Sequence, residues 1–124
     1  MKIPHIIAPE IYDVFEVRQV TRSTSLESIV AVDLVRVAPH QESESHRHNK
    51  ADTVLLMIKG AGTVRVAGKY YPVTAGERIH IPPGAFHQVI TGVEALEFMS
   101  VQTPPILSKE DDTLDLETEA LPVE

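Results

Sequence analysis

The chain has 124 residues, a formal net charge of −7, 43% apolar residues and no cysteine. That length fits one domain around one core. The missing cysteine excludes disulfides and thiolate chemistry, and the negative charge argues against a nucleic-acid partner, whose phosphates need a basic patch. No run of 18 apolar residues exists to cross a membrane as a helix. Pro4, His5 and Pro9 interrupt the first apolar residues, so the N-terminus does not read as a signal peptide. A cytoplasmic protein is expected.

Residues 1–27 carry mixed signals and are expected to form an N-terminal arm or edge strand. Ile11, Val14, Phe15 and Val17 suit a short strand or a helical turn, and Thr21–Ser25 is a polar loop. Ser28–Ala38 is rich in Val and Ile and reads as a strand ending at Pro39. Asp33 and Arg36 fall on opposite faces of it, and parity alone does not say which looks inward.

His46 and His48 follow a polar connection. On a strand, alternate residues share a face about 7 Å apart, so both imidazoles enter one space while Arg47 points away. Neutral imidazole is the commonest transition-metal ligand. Thr53–Ile58 reads as a buried strand closed by Lys59–Gly62. Thr63–Ala67 and Tyr70–Val73 form a hairpin turning near Gly68. Glu77–Ile81 is a short strand stopped by Pro82-Pro83-Gly84. Phe86–Thr91 and Ala95–Gln102 are the last clear strands. All six glycines fall between residues 60 and 92. Short strands punctuated by Gly and Pro indicate an all-β sandwich or barrel.

Residues 104–124 form an acidic tail. From Thr103 onward seven acids face one base, Lys109, which accounts for −6 of the total charge. The ordinary reading is a solvated or loosely docked terminus, with Leu114, Leu116 and Leu121 as docking residues.

Two motifs resemble those of small single-domain cupins, the double-stranded β-helix or jelly-roll superfamily. Gly76, five residues, Pro82-Pro83-Gly84, two residues and His87 match the second motif, with Thr91 where the family has Asn. His46, His48 and Gly60 match the first, with 38 residues between His48 and His87. Thr53 stands where the family has a metal-binding Glu, and Asp52 stands at the shorter allowed spacing. The resemblance implies an all-β cupin jelly-roll barrel of two antiparallel sheets over 28–103. It also implies one divalent transition metal (Fe, Ni, Zn or Mn) on His46, His48 and His87, and a homodimer.

Thr53 is a poor ligand, and strand parity turns Asp52 outward if Thr53 faces inward. Three histidines plus water are therefore favoured over three histidines plus Asp52. Without a carboxylate the centre keeps its full +2 charge, which favours a small anionic ligand. The expected function is a small-molecule metalloenzyme, dioxygenase-like or an isomerase or lyase, with its catalytic residues unspecified. A non-catalytic sensing cupin and a metal-free structural barrel are the alternatives. Phe86, Phe98, Met57, Met99, Tyr70 and Tyr71 are candidate pocket walls, though core or interface is their default. Gln102, Arg36 and Gln88 could orient a ligand but are expected at the surface, as are His5 and His40. His80 is expected to face away from Ile79 and Ile81, outside the ligand set.

Overall fold

A computed structural model describes residues 4, 6–108 and 113–120. Among them are twelve strands and no helix, hence none long and apolar enough to cross a membrane. They are β1 (Glu10–Tyr12), β2 (Phe15–Gln19), β3 (Ala31–Val37), β4 (His46–Arg47), β5 (Asp52–Val66) and β6 (Lys69–Thr74). Then follow β7 (Arg78–Ile81), β8 (His87–Ile90), β9 (Leu96–Thr103), β10 (Leu107–Ser108), β11 (Thr113–Leu114) and β12 (Glu117–Thr118).

The strand β5 organises the fold. Its first half pairs with β9 on one side and β7 on the other. Its second half pairs with β6 and β8. A register shift between Met57 and Lys59 marks where the chain bends from one sheet into the other. Lys59–Gly62 therefore does not close a strand, as expected from the sequence, but continues it. Gly60 makes the bend sterically feasible: its φ is +85°, and a Cβ there would lie 1.9 Å from the Ala95 carbonyl oxygen.

One sheet runs β1-β2-β3-β9-β5, with β7 beside β5, all antiparallel. The other contains β6, β5, β8, β4 and β12, also antiparallel. The all-β cupin fold expected from the motifs is thus present. The segment read as a strand or helical turn is the hairpin β1–β2, which pairs with the chain's own β3. His5, Leu121 and the acids Glu110, Asp111, Asp112 and Glu124 lie outside the described residues.

Both sheets contribute to one core. Val35, Val37, Leu55, Met57, Leu96 and Phe98 come from the first, and Val64, Val66, Val73 and Val89 from the second. These residues alternate with outward neighbours, as half-buried strands require. Toward the other end the inward positions become polar: Asp33 on β3, Ser100 and Gln102 on β9, and Thr53 on β5 line a cavity of about 430 Å³. The fold therefore spends its apolar alternation at one end and opens a site at the other.

Candidate metal centre

The three histidines converge on this cavity. Their nearest ring nitrogens all lie within 4.8 Å of one another. Ring centroids are 5.1 Å apart for His46 and His48, 4.4 Å for His46 and His87, and 5.1 Å for His48 and His87. His46 sits directly opposite His87 where β4 pairs with β8. The turn before β8 is tied to the same place, because the Gly84 N–H donates to the His48 carbonyl at 2.7 Å. Gly84 has φ +83°, a conformation that glycine adopts without strain. Thr91, in the place of the family's Asn, donates its hydroxyl to the Ala38 carbonyl and accepts the Gln41 N–H. It pins β8 to the loop that leads to the histidines.

The rings are oriented by backbone carbonyls. A carbonyl oxygen can only accept, so the ring nitrogen facing it must carry the proton. His48 donates Nδ1–H to the Asp115 carbonyl at 2.7 Å, and His87 donates Nδ1–H to the Ala85 carbonyl at 3.0 Å. Each Nε2 then keeps its lone pair. The Gln102 amide nitrogen lies 3.4 Å from His48 Nε2, at the lone pair that a metal would take.

Burial pushes the His46 imidazole down to about 4, helped by nearby His48 and opposed by a hydrogen bond to the Glu44 backbone. Burial likewise pushes His87 down to about 3, with His46 adding to the effect and the Ala85 carbonyl opposing it. Both rings are therefore neutral at pH 7, the state a metal ligand requires.

Thr53 points into the cavity and is buried, and its hydroxyl has no hydrogen-bond partner among the described residues. Asp52 faces out, half exposed, with its carboxylate 2.5 Å from His80 Nε2. Asp52 is thus turned away from the three rings. Neutral nitrogen donors, an orphaned hydroxyl and an open cavity fit a divalent transition metal with free coordination positions.

Of the expected wall residues, Phe98 lines the cavity. Phe86 instead stacks under the Arg47 guanidinium, 4.6 Å from ring centre, and Met57 is sealed in the core. Met99 is half-buried away from the cavity, and Tyr70 and Tyr71 are exposed. Gln102 is not at the surface but buried at the site. Arg36 and His40 are exposed, and Gln88 donates to the Ser43 carbonyl.

Strand parity left open whether Asp33 or Arg36 looks inward, and nothing in the sequence marks Asp115; the structure brings both aspartates to the site. Asp33 lies between Gln19 and Ser100 on the cavity wall. Burial raises its carboxyl to about 6, and no hydrogen bond or opposite charge among the described residues offsets that. Its inward parity with Val35 and Val37 was a usable signal, but Val32 and Leu34 are equally apolar and masked it. The other is Asp115. Its carboxylate accepts backbone N–H groups from Asn49 (2.7 Å), Lys50 (2.9 Å) and Ala51 (3.0 Å). Burial pushes its pKa up, but the three N–H groups outweigh this and hold it below the usual range.

Comparison with characterised protein sequences gives no match. Among solved structures, the chain is similar to the plu4264 protein of Photorhabdus luminescens, with TM-score 0.74 and 22% identity over 90% of this chain and 92% of that one. It is similar to the polyketide cyclase RemF of Streptomyces resistomycificus, with TM-score 0.72 and 21% identity over 82% and 78%. A proposed sugar phosphate isomerase from Acidithiobacillus ferrooxidans gives TM-score 0.63 and 22% identity over 71% of this chain, which spans only 58% of that longer one. The family profile described as the cupin domain matches residues 33–102, more than half of the sequence. With the two motifs and the paired sheets already in place, the chain belongs to the cupin family.

Proposed function

We propose that this cupin is a metal-dependent enzyme acting on a small molecule by proton transfer, as an isomerase, lyase or cyclase would. The convergence of His46, His48 and His87 on a cavity of about 430 Å³ carries this reading. When bound there, a divalent transition metal (Fe, Ni, Zn or Mn) would supply Lewis-acid polarisation of a ligand oxygen. Three neutral imidazoles leave the metal's charge intact, which favours an anionic or chelating oxygen at that end.

The rest of the cavity suits a less polar body. Phe15, Val17, Leu55, Val89 and Phe98 line it, and its charged side chains are mostly acids. Arg22, its cation, is already paired with Glu10. Asp33 is the group positioned to take or return a proton at its carboxylate, since it faces the ligand space without a partner among the described residues. This favours non-redox proton transfer over dioxygen chemistry. The absence of cysteine supports a cytoplasmic setting.

A homodimer is supported by the outer face of the larger sheet. Leu34, Met99 and Leu56 lie in register across β3, β9 and β5, and Val32, Val101 and Val54 form a second row beside them. Six aliphatic side chains in two rows make a patch that a second copy would cover.

Metal analysis of the purified protein tests the reading. We expect bound transition metal, a melting temperature that rises on metal addition, and loss of uptake in a folded His87→Ala variant. No bound metal and no thermal shift would sink it.

A further inference from the structure

The acidic C-terminal segment docks on the strand that carries the histidines. The carboxylate of Asp115 caps three successive backbone N–H groups, those of Asn49, Lys50 and Ala51. Its main-chain carbonyl turns the other way and accepts Nδ1–H of His48. Beyond it, β12 pairs with β4, placing Glu117 opposite Arg47 and Thr118 opposite His46. Glu117 pairs with Arg47 at 2.8 Å, and Glu119 accepts from Ser45 at 2.9 Å and Arg65 at 3.3 Å. The Glu119 N–H donates to the Ser45 carbonyl at 2.9 Å. Leu114, Leu116 and Thr118 line the cavity.

A segment that only shielded apolar surface would need its leucines alone. Here a buried imidazole has a peptide carbonyl aimed at it, and the same residue's carboxylate clamps the loop on the far side. Such a partner fixes which ring nitrogen is free to ligate.

We propose that residues 114–119 are a positioning element of the metal centre, with Asp115 holding His48 in its ligating orientation. This rests on the metal reading given above. Docking and metal binding then favour each other by one shared factor, because coupling between two binding equilibria is reciprocal. The segment's order becomes a readout of site occupancy.

The test uses the full-length chain and Zn²⁺ as probe. Zn²⁺ affinity is measured by competition with a chelating dye. Docking is read from hydrogen exchange at the Glu119 amide, and metal geometry from the ligand-field spectrum of the Co²⁺ form. Asp115→Ala is expected to speed that exchange, alter the Co²⁺ spectrum and weaken Zn²⁺ binding by about 10–100-fold, the usual cost of losing a ligand's orienting partner. Asp115→Asn retains an acceptor and is expected to recover most of the affinity.

Free exchange at Glu119 with unchanged Zn²⁺ affinity overturns the proposal. If the single variant stays docked, the triple variant D115A/E117A/E119A is read the same way. If neither folds, Zn²⁺ added to the wild type decides: slowed exchange at Glu119 supports the coupling and unchanged exchange overturns it. A wild type that takes up no Zn²⁺ overturns the metal reading itself, whereas uptake without coupling overturns only the role of the segment.

Discussion

Asp52 Oδ1 and His80 Nε2 lie 2.5 Å apart on the outside of the barrel, across the antiparallel strands β5 and β7. That pair takes the first carboxylate after the histidine motif and turns it to solvent. Both side chains are about half exposed, so the contact adds little to stability, on the order of 0–1 kcal/mol. Asp52→Asn is therefore expected to leave Zn²⁺ affinity unchanged and to shift the melting temperature only slightly. A tenfold loss of affinity would place Asp52 among the ligands.

Thr53 makes the complementary prediction. Its hydroxyl is buried and unpartnered, and valine has almost the same shape. Thr53→Val should stabilise the metal-free protein by about 1 kcal/mol, because an unsatisfied polar group is removed from the interior. Zn²⁺ affinity should not change if three imidazoles hold the metal. Denaturant titration and dye competition read the two quantities separately, and a fall in affinity would make the hydroxyl a ligand.

The metal-free protein should lose stability on acidification, with a sign that differs by residue. His46 and His87 fall from 6.5 to about 4 and about 3 on folding. The unfolded chain binds their protons first, so their contribution is lost as pH falls below 6.5. Asp33 rises from 3.8 to about 6, so its contribution is present at low pH and is lost as pH rises through 6. Between about pH 4 and 6 the two histidines outweigh the one aspartate, and net stability rises with pH. Asp33→Asn removes the opposing group and should make the slope from these residues about twice as steep. An unchanged slope in denaturant midpoints across that window would show that Asp33 titrates normally. Asp115, held low by the N–H groups around it, adds a loss of the histidine sign further down.

The outer rows on β3, β9 and β5 predict an assembly. Leu56 points outward and takes no part in the core. Leu56→Glu should therefore convert a dimer to a folded monomer by sedimentation while leaving metal uptake intact. A wild type that sediments as a monomer at micromolar concentration would remove the interface.

Much of this was legible in the residues. The histidine pair, the Pro82-Pro83-Gly84 turn and the distance to His87 were sufficient for the fold and for three convergent rings. Strand parity alone separated Thr53 from Asp52. What stayed hidden depends on contacts between residues far apart in sequence. The glycines at 60 and 62 read as a stop because local propensity cannot foresee a strand bending between two sheets. Asp33 was obscured by apolar residues on both faces of β3. The leucines of the tail pointed to loose docking, but the role of Asp115 leaves no trace in a stretch whose acids read as solvated.

Because β5 belongs to both sheets, neither sheet can be completed while the other is missing. All four of its partners, β6 to β9, follow it in the chain, and β9 begins 30 residues after β5 ends. The chain must close long loops before those pairings repay the lost entropy. Folding is thus expected to be slow for a domain of this size and to proceed without a stable half-barrel. A lesion at the bend, such as a side chain at Gly60, would disturb both sheets together.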